Sequence, residues 1–336
     1  MRRRGFIIIA LGSVAAVSLP QFARAQQAGK TYRIAIVSPS MPVSEMNEAN
    51  EGIYRPFLGE LRRLGYTEGQ NLIVERYSAE GHPERYREMV SETVRSQPDA
   101  VFSAQLQLTL ELKAQTKTIP IVGGGVDPVG FGIVPSLARP GGNITGVDGE
   151  AGLHTWGKRL ALLKEAVPTL SRVGLLIVPN AYGQRGGAMV KEAAEKIGVS
   201  LVDSQLAGPF DEAAYRAAFA VMVKERAVAV YVGSQYENWS NRKVIIDLAR
   251  QYRLPAIYGT GEHAEIGGFM AYAADWPDLW RHAADQVDQI LKGTKPGDIP
   301  FYQGTKFILA INLRTAKTLD IGISPNLLAQ ADEVIE

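Results

Sequence analysis

The 336-residue chain contains no cysteine and only four histidines. Without cysteine, the chain has no thiolate nucleophile, no disulfide and no thiolate metal ligand. The four histidines (His82, His154, His263 and His282) are scattered, and no two stand four positions apart as a helical zinc motif requires. The sequence therefore predicts neither a metal site nor a cofactor.

An excess of either charge is also missing, because 36 basic residues face 35 acidic ones and the net charge is +1. A nucleic-acid-binding face would need clustered basic residues, so no nucleic-acid partner is expected. Beyond the N-terminus, no apolar run approaches the ~20 residues that a membrane-spanning helix needs. The sequence predicts no stable membrane insertion.

Catalytic motifs are absent as well, since neither a P-loop nor a G-x-S-x-G elbow occurs. Gly259, Gly261 and Ala264 match dinucleotide-binding spacing, but they follow a late strand and do not open the first βαβ unit. Asp127 before Pro128 could supply a carboxylate, although Asp-Pro is also a common turn opener. We expect a protein that is not an enzyme.

The first 25 residues have the pattern of an export signal. Arg2, Arg3 and Arg4 precede an apolar stretch over 6–19, and Ala23-Arg24-Ala25 forms a cleavage site before Gln26. The arginine pair leaves both the Sec and the twin-arginine route open. Because no cysteine is available for a lipid anchor, the sequence predicts an untethered protein in the periplasm.

The rest of the chain alternates short apolar strands with amphipathic helices. In the first half, strands are predicted at 33–37, 71–77, 100–103, 120–122 and 144–147, with helices at 51–64, 83–96 and 106–116. Within the second helix, Tyr86, Met89, Val90 and Thr93 recur at the spacing of one helix face. This alternation predicts an α/β fold built from βαβ units with parallel sheets.

The pattern then occurs a second time. Strands are predicted at 172–178, 200–204, 227–232, 256–258 and 268–272, with helices at 187–196, 211–224 and 241–252. Leu64-Gly65-Tyr66 and Ile197-Gly198-Val199 each precede a strand. A duplication explains this repetition, although any two α/β segments share the same alternation. Two Rossmann-like lobes with a cleft between them are therefore predicted.

Ligands of open α/β sheets bind beyond the carboxyl ends of the strands, so the residues that follow each strand are the binding candidates. These segments contain hydroxyls, glycines, amides, aromatic rings and one carboxylate, which are also ordinary turn residues. In the first half they are 38–40, 103–105 and 123–125, and in the second half 180–183, 233–236 and 259–262. Their coincidence in six segments favours a binding cleft.

Several motifs resemble one family of transport proteins. VDPVG at 126–130, LARPGGNITG at 137–146, LPAIY at 254–258, ILKG at 290–293 and ADEVI at 331–335 are similar to the tryptophan/tyrosine-type substrate-binding proteins of ABC transporters. The resemblance implies the periplasmic binding protein type I fold, with two lobes joined by hinge strands. The lobe boundaries expected are 31–147 with about 274–302 for lobe 1, and 148–273 with about 303–336 for lobe 2.

A more distant resemblance to branched-chain amino-acid receptors implies roles for single residues. Hydroxyl and glycine positions correspond to their carboxylate-binding loops, aromatic positions to the residues that frame the ligand, and Glu262 to their ammonium-binding glutamate. The segment 236–239 departs from the family pattern and leaves the ligand open. The ligand-binding residues predicted are Ser38, Ser40, Ser103, Gln105, Gly123, Gly124, Asp127, Asn180, Tyr182, Ser234, Gln235, Tyr236, Trp239 and Glu262.

The predicted function is that of a monomeric periplasmic receptor of an ABC importer, with a membrane permease as its partner. Its ligand is expected to be a small aromatic or branched amino acid, or a related aromatic carboxylate, held by closure of the two lobes. A sensor that presents its ligand to a membrane signalling protein, and a periplasmic enzyme, are the alternatives.

Overall fold

The computed structural model of the protein describes residues 30–50, 52–150 and 154–336, with only the backbone at residues 181–182. The predicted signal peptide, residues 1–25, lies outside the described residues. The strands are β1 Tyr32–Ser38, β2 Leu72–Ser78, β3 Ala100–Ser103, β4 Ile121–Gly125, β5 Ile144–Asp148, β6 Arg172–Leu176, β7 Ser200–Asp203, β8 Ala229–Val232, β9 Ala256–Tyr258, β10 Met270–Ala274, β11 Tyr302–Gln303, β12 Phe307–Asn312 and β13 Glu333–Ile335. The α-helices are α1 Tyr54–Arg63, α2 Tyr86–Arg95, α3 Leu106–Gln115, α4 His154–Ala166, α5 Ala181–Ile197, α6 Glu212–Lys224, α7 Tyr236–Ser240, α8 Arg242–Gln251, α9 Glu262–Glu265, α10 Trp276–Leu291, α11 Leu313–Thr318 and α12 Pro325–Gln330.

The strands form two sheets of matching order. One sheet runs β2-β1-β3-β4-β5-β11, and the other runs β7-β6-β8-β9-β10-β12-β13. Every strand pairing of the two sheets is parallel except that of β10 with β12. Two α/β lobes with mostly parallel sheets were predicted, and the structure confirms them. The shared strand order is what a duplicated half would produce.

The chain passes between the sheets three times, after β5, after β10 and after β11. Helix α10 packs against α1 and β5, whereas α4 packs against α5, β9 and β10. We therefore call the sheet that contains β1, with α1–α3 and α10, lobe 1, and the sheet that contains β6, with α4–α9, lobe 2. Residues 31–336 form one compact unit, so the residue-level lobe boundaries stay a prediction.

Burial explains why these segments form strands. All four residues of β3 and all four of β8 are buried, as expected for parallel strands that helices cover on both faces. Helix α8 is apolar on one face and buries Ile245, Ile246, Leu248 and Ala249 in the core that it shares with β8. Burial of these faces is the main driving force for each layer of the fold.

Several predicted bounds differ from the structure, and three differences concern the carboxyl edge of lobe 2. Helix α5 begins at Ala181 and not at residue 187, because the side chain of Asn180 accepts a hydrogen bond from the N–H of Gly183 and caps the first turn. Residues 236–240 form the short helix α7, where the sequence suggested a loop. The strand expected at 268–272 is β10, Met270–Ala274.

Candidate functional site

A cavity lies where the carboxyl ends of β3 and β4 face those of β8 and β9. Its empty space is about 750 Å³ with the open mouth included, within the range of small-molecule sites. Lobe 1 contributes Gly52, Ile53, Ala104, Gln105, Leu106, Gln107, Gly125, Val126, Trp276 and Trp280. Lobe 2 contributes Asn180, Ser234, Gln235, Tyr236, Glu237, Trp239, Thr260 and Glu262. This position agrees with the rule that ligands bind at the carboxyl edge of such sheets.

Half of the residues predicted from the sequence meet in this cavity. They come from the ends of β3 and β8, from the cap of α5 and from α7 and α9, and they are Gln105, Asn180, Ser234, Gln235, Tyr236, Trp239 and Glu262. The side chain of Tyr182, which was expected to frame the ligand, lies outside the described residues.

Three predicted residues lie inside lobe 1 instead of at the cavity wall. The hydroxyl of Ser38 accepts a hydrogen bond from the N–H of Met41 at 3.0 Å, which closes the turn after β1. Ser103 is fully buried, where its hydroxyl donates to the carbonyl of Gln105 at 3.1 Å. A Cβ on Gly123 would lie 2.7 Å from a methyl carbon of Thr109. These residues shape the loops of lobe 1 from below the cavity.

Gly124 underlies one wall of the cavity, although it does not line the cavity itself. A Cβ on Gly124 would lie 2.6 Å from the ring of Trp280, and one on Gly149 would lie 2.5 Å from the ring of Trp276. The two glycines therefore leave room for two tryptophans that sequence reasoning missed. The glycine run at 123–125 was the available signal, because repeated glycine at a strand end indicates a close approach by another group.

Asp127 and Ser40 connect the two lobes. The carboxylate of Asp127 in lobe 1 forms an ion pair with Arg185 of α5, with 2.6 Å between Oδ2 and Nη2. The hydroxyl of Ser40 lies beside that of Tyr236 of lobe 2, where it partly offsets the rise in the Tyr236 pKa that burial causes. Neither Asp127 nor Ser40 lines the cavity. Both contacts require the two lobes to be close together, so the structure is that of a closed cleft.

Two pairs of aromatic rings form the apolar part of the cavity. On the lobe 1 side, Trp276 and Trp280 stack with ring centroids 5.3 Å apart and an interplanar angle of 21°. On the lobe 2 side, the centroids of Tyr236 and Trp239 lie 5.4 Å apart. The guanidinium of Arg242 covers the Trp239 ring at 4.4 Å. Aromatic walls from both lobes suit a flat apolar ligand.

Two carboxylates supply the charge of the cavity. Glu262, at the start of α9, has no hydrogen-bond or ion-pair partner within the described part of the chain. Glu237, which was not among the predicted residues, stands between Tyr236 and Trp239 in the sequence of α7, and burial raises the pKa of its side chain. No lysine, arginine or histidine is among the described residues that line the cavity. The site is therefore electronegative and suits an ammonium group.

A buried ion pair supports the lobe 2 wall. Arg159 of α4 is 1% exposed and pairs with Glu150 at 3.1 Å. Its Nη1 donates to the hydroxyl of Ser234 at 2.8 Å, and its Nε donates to the carbonyl of Tyr272 at 2.6 Å. One guanidinium thus links the first crossing segment and strand β10 to a residue of the cavity wall.

The described residues give no sign of a metal centre or of a membrane-spanning helix. Within residues 30–50, 52–150 and 154–336, no group of three histidine, aspartate or glutamate side chains is arranged to hold a metal ion. No helix of these segments is both long enough and apolar enough to cross a membrane. The lining groups can bind, orient and enclose a small molecule.

Comparison with known proteins gives the family. The family model described as ABC transporter substrate binding protein matches residues 37–335. The chain is 24% identical over 267 residues to a protein of Clostridioides difficile named tyrosine-binding protein, with 79% of this chain and 75% of that protein covered.

Solved structures give the fold. A conserved domain protein from Vibrio cholerae is 26% identical, with a TM-score of 0.80, and covers 91% of this chain and 100% of its own. An ABC domain from Streptococcus pneumoniae in complex with L-Trp is 23% identical, with a TM-score of 0.78 and the same coverage.

These matches confirm the predicted type I binding-protein fold and the resemblance on which it was based. They also confirm the expectation of a binding protein, since the family consists of substrate-binding proteins and not of enzymes. The chain belongs to the ABC transporter substrate binding protein family.

Proposed function

We propose that the chain is the periplasmic receptor of an ABC importer and that it captures a small aromatic amino acid. A branched amino acid or an aromatic carboxylate is the wider class from which the ligand comes. The receptor delivers its ligand to a membrane permease after the two lobes have closed. The predicted export signal supports a location outside the cytoplasm.

One observation carries the ligand class. The stacked pair Trp276 and Trp280 faces the cavity from lobe 1, and the pair Tyr236 and Trp239 faces it from lobe 2. A flat ring placed in the cavity would be covered by aromatic surface of both lobes. Offset or edge-to-face contacts of this kind contribute about 0.5–1.5 kcal/mol each beyond the buried area.

The polar groups suit the head of an amino acid. The free carboxylate of Glu262 is available for an ammonium group, and such charge-assisted bonds are about twice as strong as neutral ones. At the N-terminus of α3, Leu106 and Gln107 line the cavity, and backbone N–H groups in a first helical turn favour a carboxylate. Two relatives agree with this class, because one is named for binding tyrosine and another holds L-Trp.

Lobe closure explains how binding could be reported to a permease. Each lobe supplies part of the cavity wall, so only the closed form offers all contacts. A ligand that binds the closed form more tightly than the open one shifts the population toward closure. The contacts Asp127–Arg185 and Ser40–Tyr236 belong to the closed form. A permease that recognises both lobes would then read the ligand-bound state.

A thermal-shift screen tests the ligand class. Binding stabilises the folded protein by RT ln(1 + [L]/Kd), which is ~2.7 kcal/mol at a hundredfold excess over Kd. We expect L-tyrosine, L-tryptophan or L-phenylalanine to raise the melting temperature most, with glucose as the negative control. The ligand class is wrong if no aromatic amino acid, branched amino acid or aromatic carboxylate moves the transition.

An uptake assay tests the importer role. Cells that lack this protein should accumulate less of the radiolabelled ligand that gives the largest thermal shift, and a plasmid copy should restore uptake. Unchanged uptake in the deletion strain, with tight binding in vitro, would reject the importer role and leave the ligand class standing.

A further inference from the structure

A second pocket lies on lobe 2, distinct from the cavity between the lobes. Helix α8, the turn before β10 and helix α11 surround it, and we call it the α8–α11 pocket. Its empty space is about 760 Å³ with the open mouth included, within the range of small-molecule sites. The α8–α11 pocket and the cavity have no lining residue in common, so a ligand of one does not touch the other.

Apolar side chains form one part of the α8–α11 pocket. Leu254 and Phe269, which precede β9 and β10, line it and are buried, whereas Ile266 lines it with half of its surface exposed. Gly267 has a φ of 111°, and a Cβ there would lie 3.9 Å from a methyl carbon of Ile246, which also lines the pocket. Glycine at this turn therefore leaves open the space that a side chain would occupy. This part of the pocket suits an apolar chain.

Three arginines give the pocket a positive charge. Arg250, Arg253 and Arg314 line it, and no aspartate or glutamate is among the described residues that do so. Arg250 and Arg253 each pair with an exposed aspartate that does not line the pocket, and Arg314 donates to the carbonyl of Glu336. Exposed ion pairs are weak, and each guanidinium has five N–H donors. Donors therefore remain available for an anion.

A buried hydroxyl of the pocket has no partner. Tyr258 is 1% exposed and lines the pocket, and its hydroxyl makes no hydrogen bond within the described part of the chain. A Cβ on Gly268 would lie 2.6 Å from Cε2 of Tyr258. Because Cε2 is bonded to the carbon that carries the hydroxyl, the hydroxyl lies near Gly268, which also lines the pocket. Buried polar groups without a partner are rare, so one that borders a pocket indicates a polar group on a ligand.

We propose that the α8–α11 pocket is a second ligand site and that its ligand is a small apolar monocarboxylate. The carboxylate accepts hydrogen bonds from the hydroxyl of Tyr258 and from the arginine guanidinium groups, which are charge-assisted on both sides. The apolar chain of the ligand covers Leu254 and Phe269. This proposal goes beyond the proposed function and does not depend on what the cavity between the lobes binds.

Octanoate and 1-octanol test the charge and the apolar chain separately. Both carry an eight-carbon chain, but only octanoate has a carboxylate. Calorimetry on the wild-type protein should give a Kd for octanoate at least about tenfold lower than that for 1-octanol, because only octanoate forms charge-assisted bonds. No binding of octanoate, or equal affinity for the two probes, overturns the proposal.

Arginine variants locate the carboxylate. Arg250→Gln and Arg314→Gln should each weaken octanoate binding about three- to tenfold and leave the affinity for 1-octanol unchanged. Arg95→Gln is the matched control, because Arg95 is an exposed arginine of α2 in lobe 1 and does not line the pocket. It should leave both affinities unchanged. An equal loss in all three variants would show that octanoate responds to net charge and not to the pocket, which overturns the proposal.

Tyr258→Phe separates a role in binding from a role in packing. The variant keeps the ring and removes the unpartnered hydroxyl, so its melting temperature without ligand should equal or exceed that of wild type, while octanoate affinity falls about tenfold. Wild-type octanoate affinity in this variant overturns the assignment. Glu262→Gln changes the cavity but not the α8–α11 pocket, and it should leave octanoate affinity unchanged. A loss there would place octanoate in the cavity and would equally overturn the proposal.

Discussion

The carboxylate of Asp127 and the guanidinium of Arg185 meet across the cleft with 2.6 Å between Oδ2 and Nη2. Arg185 also covers the ring of Phe131 at 4.7 Å, so a single side chain of lobe 2 makes two contacts with lobe 1. Neither partner lines the cavity. The pair is therefore placed to hold the lobes together without touching the ligand.

Asp127→Asn should weaken ligand binding without changing which ligand is bound. The backbone of Asp127 has a φ of 47°, which asparagine tolerates well, and an amide oxygen can still accept from the N–H of Gly130. Because Arg185 is 44% exposed, solvent screens the pair, and we expect a loss of at most about fivefold in affinity, or ~0–1 kcal/mol.

Calorimetry at low and high salt measures this effect. The difference between wild type and Asp127→Asn should shrink at high ionic strength, since salt screens exposed ion pairs. Glu212→Gln breaks a surface pair with Arg216 that is remote from the cleft and should leave affinity unchanged. A salt-independent loss in Asp127→Asn would contradict the cross-lobe role.

Glu262→Gln should remove the preference for a ligand with an ammonium group. Hydrogen bonds to charged groups contribute about 1.5–3 kcal/mol, so affinity for L-tyrosine should fall about ten- to hundredfold. Affinity for 3-(4-hydroxyphenyl)propionate, which lacks the ammonium group, should change little. Competition binding with both ligands measures this, and equal losses would show that Glu262 does not bind the ammonium group.

Glu237→Gln should stabilise the unliganded protein at neutral pH. Burial raises the pKa of Glu237 above the ordinary value of 4.5. A carboxyl group with a higher pKa in the folded chain than in the unfolded chain destabilises the fold once the pH exceeds both values, and this cost disappears as the pH falls below the unfolded value. The melting temperature of the variant should therefore exceed that of wild type at neutral pH.

A pH series of melting curves distinguishes this cause from a change in packing. The advantage of Glu237→Gln should diminish as the pH approaches the ordinary glutamate pKa. Glu192 provides the opposite case, because its pKa is lowered by Lys196, so Glu192→Gln should give no stabilisation at neutral pH. A lower melting temperature for Glu237→Gln at neutral pH would refute the role given to burial.

The sequence predicted the fold well because its signals are local. Most of the first five strands in either lobe contain a short apolar run, and helices such as α1 and α8 repeat apolar residues at helical spacing. Helix α5 was predicted to begin too late, since Tyr182-Gly183 follows a strand and resembles a turn. The capping hydrogen bond of Asn180 extends the helix into that segment.

The site was predicted in part, because the ends of strands indicate where a cavity lies but not which side chains face it. Ser103 and Gln105 are two positions apart, and yet Ser103 is buried under the loop whereas Gln105 lines the cavity. Trp276 and Trp280 were missed because they follow the second crossing of the chain. Their contact with Gly149 and Gly124 depends on tertiary packing that no sequence period records.

Gly124→Ala should both destabilise the protein and weaken binding. The new methyl carbon would lie 2.6 Å from the Trp280 ring and 3.1 Å from the Cα of Ala104. Because the backbone of Ala104 prevents the methyl group from shifting away from the ring, the Trp280 ring must move. Overpacking of this kind costs ~1–3 kcal/mol in unfolding free energy. Displacement of Trp280 should also lower affinity for L-tyrosine, because the Trp276–Trp280 wall of the cavity loses its stacked geometry.

Gly59→Ala is the matched control for this substitution. Gly59 lies within α1, where an added Cβ would meet nothing within 4 Å, so alanine should raise the unfolding free energy by ~0.5–1 kcal/mol through its better helix propensity. Urea unfolding gives the two free energies, and calorimetry gives the two affinities. A lower unfolding free energy in Gly124→Ala and a higher one in Gly59→Ala, with affinity lost only in Gly124→Ala, would show that the Trp280 ring requires glycine at position 124. Wild-type stability and affinity in Gly124→Ala would instead mean that Trp280 has another position available and that the stack is not a fixed wall of the site.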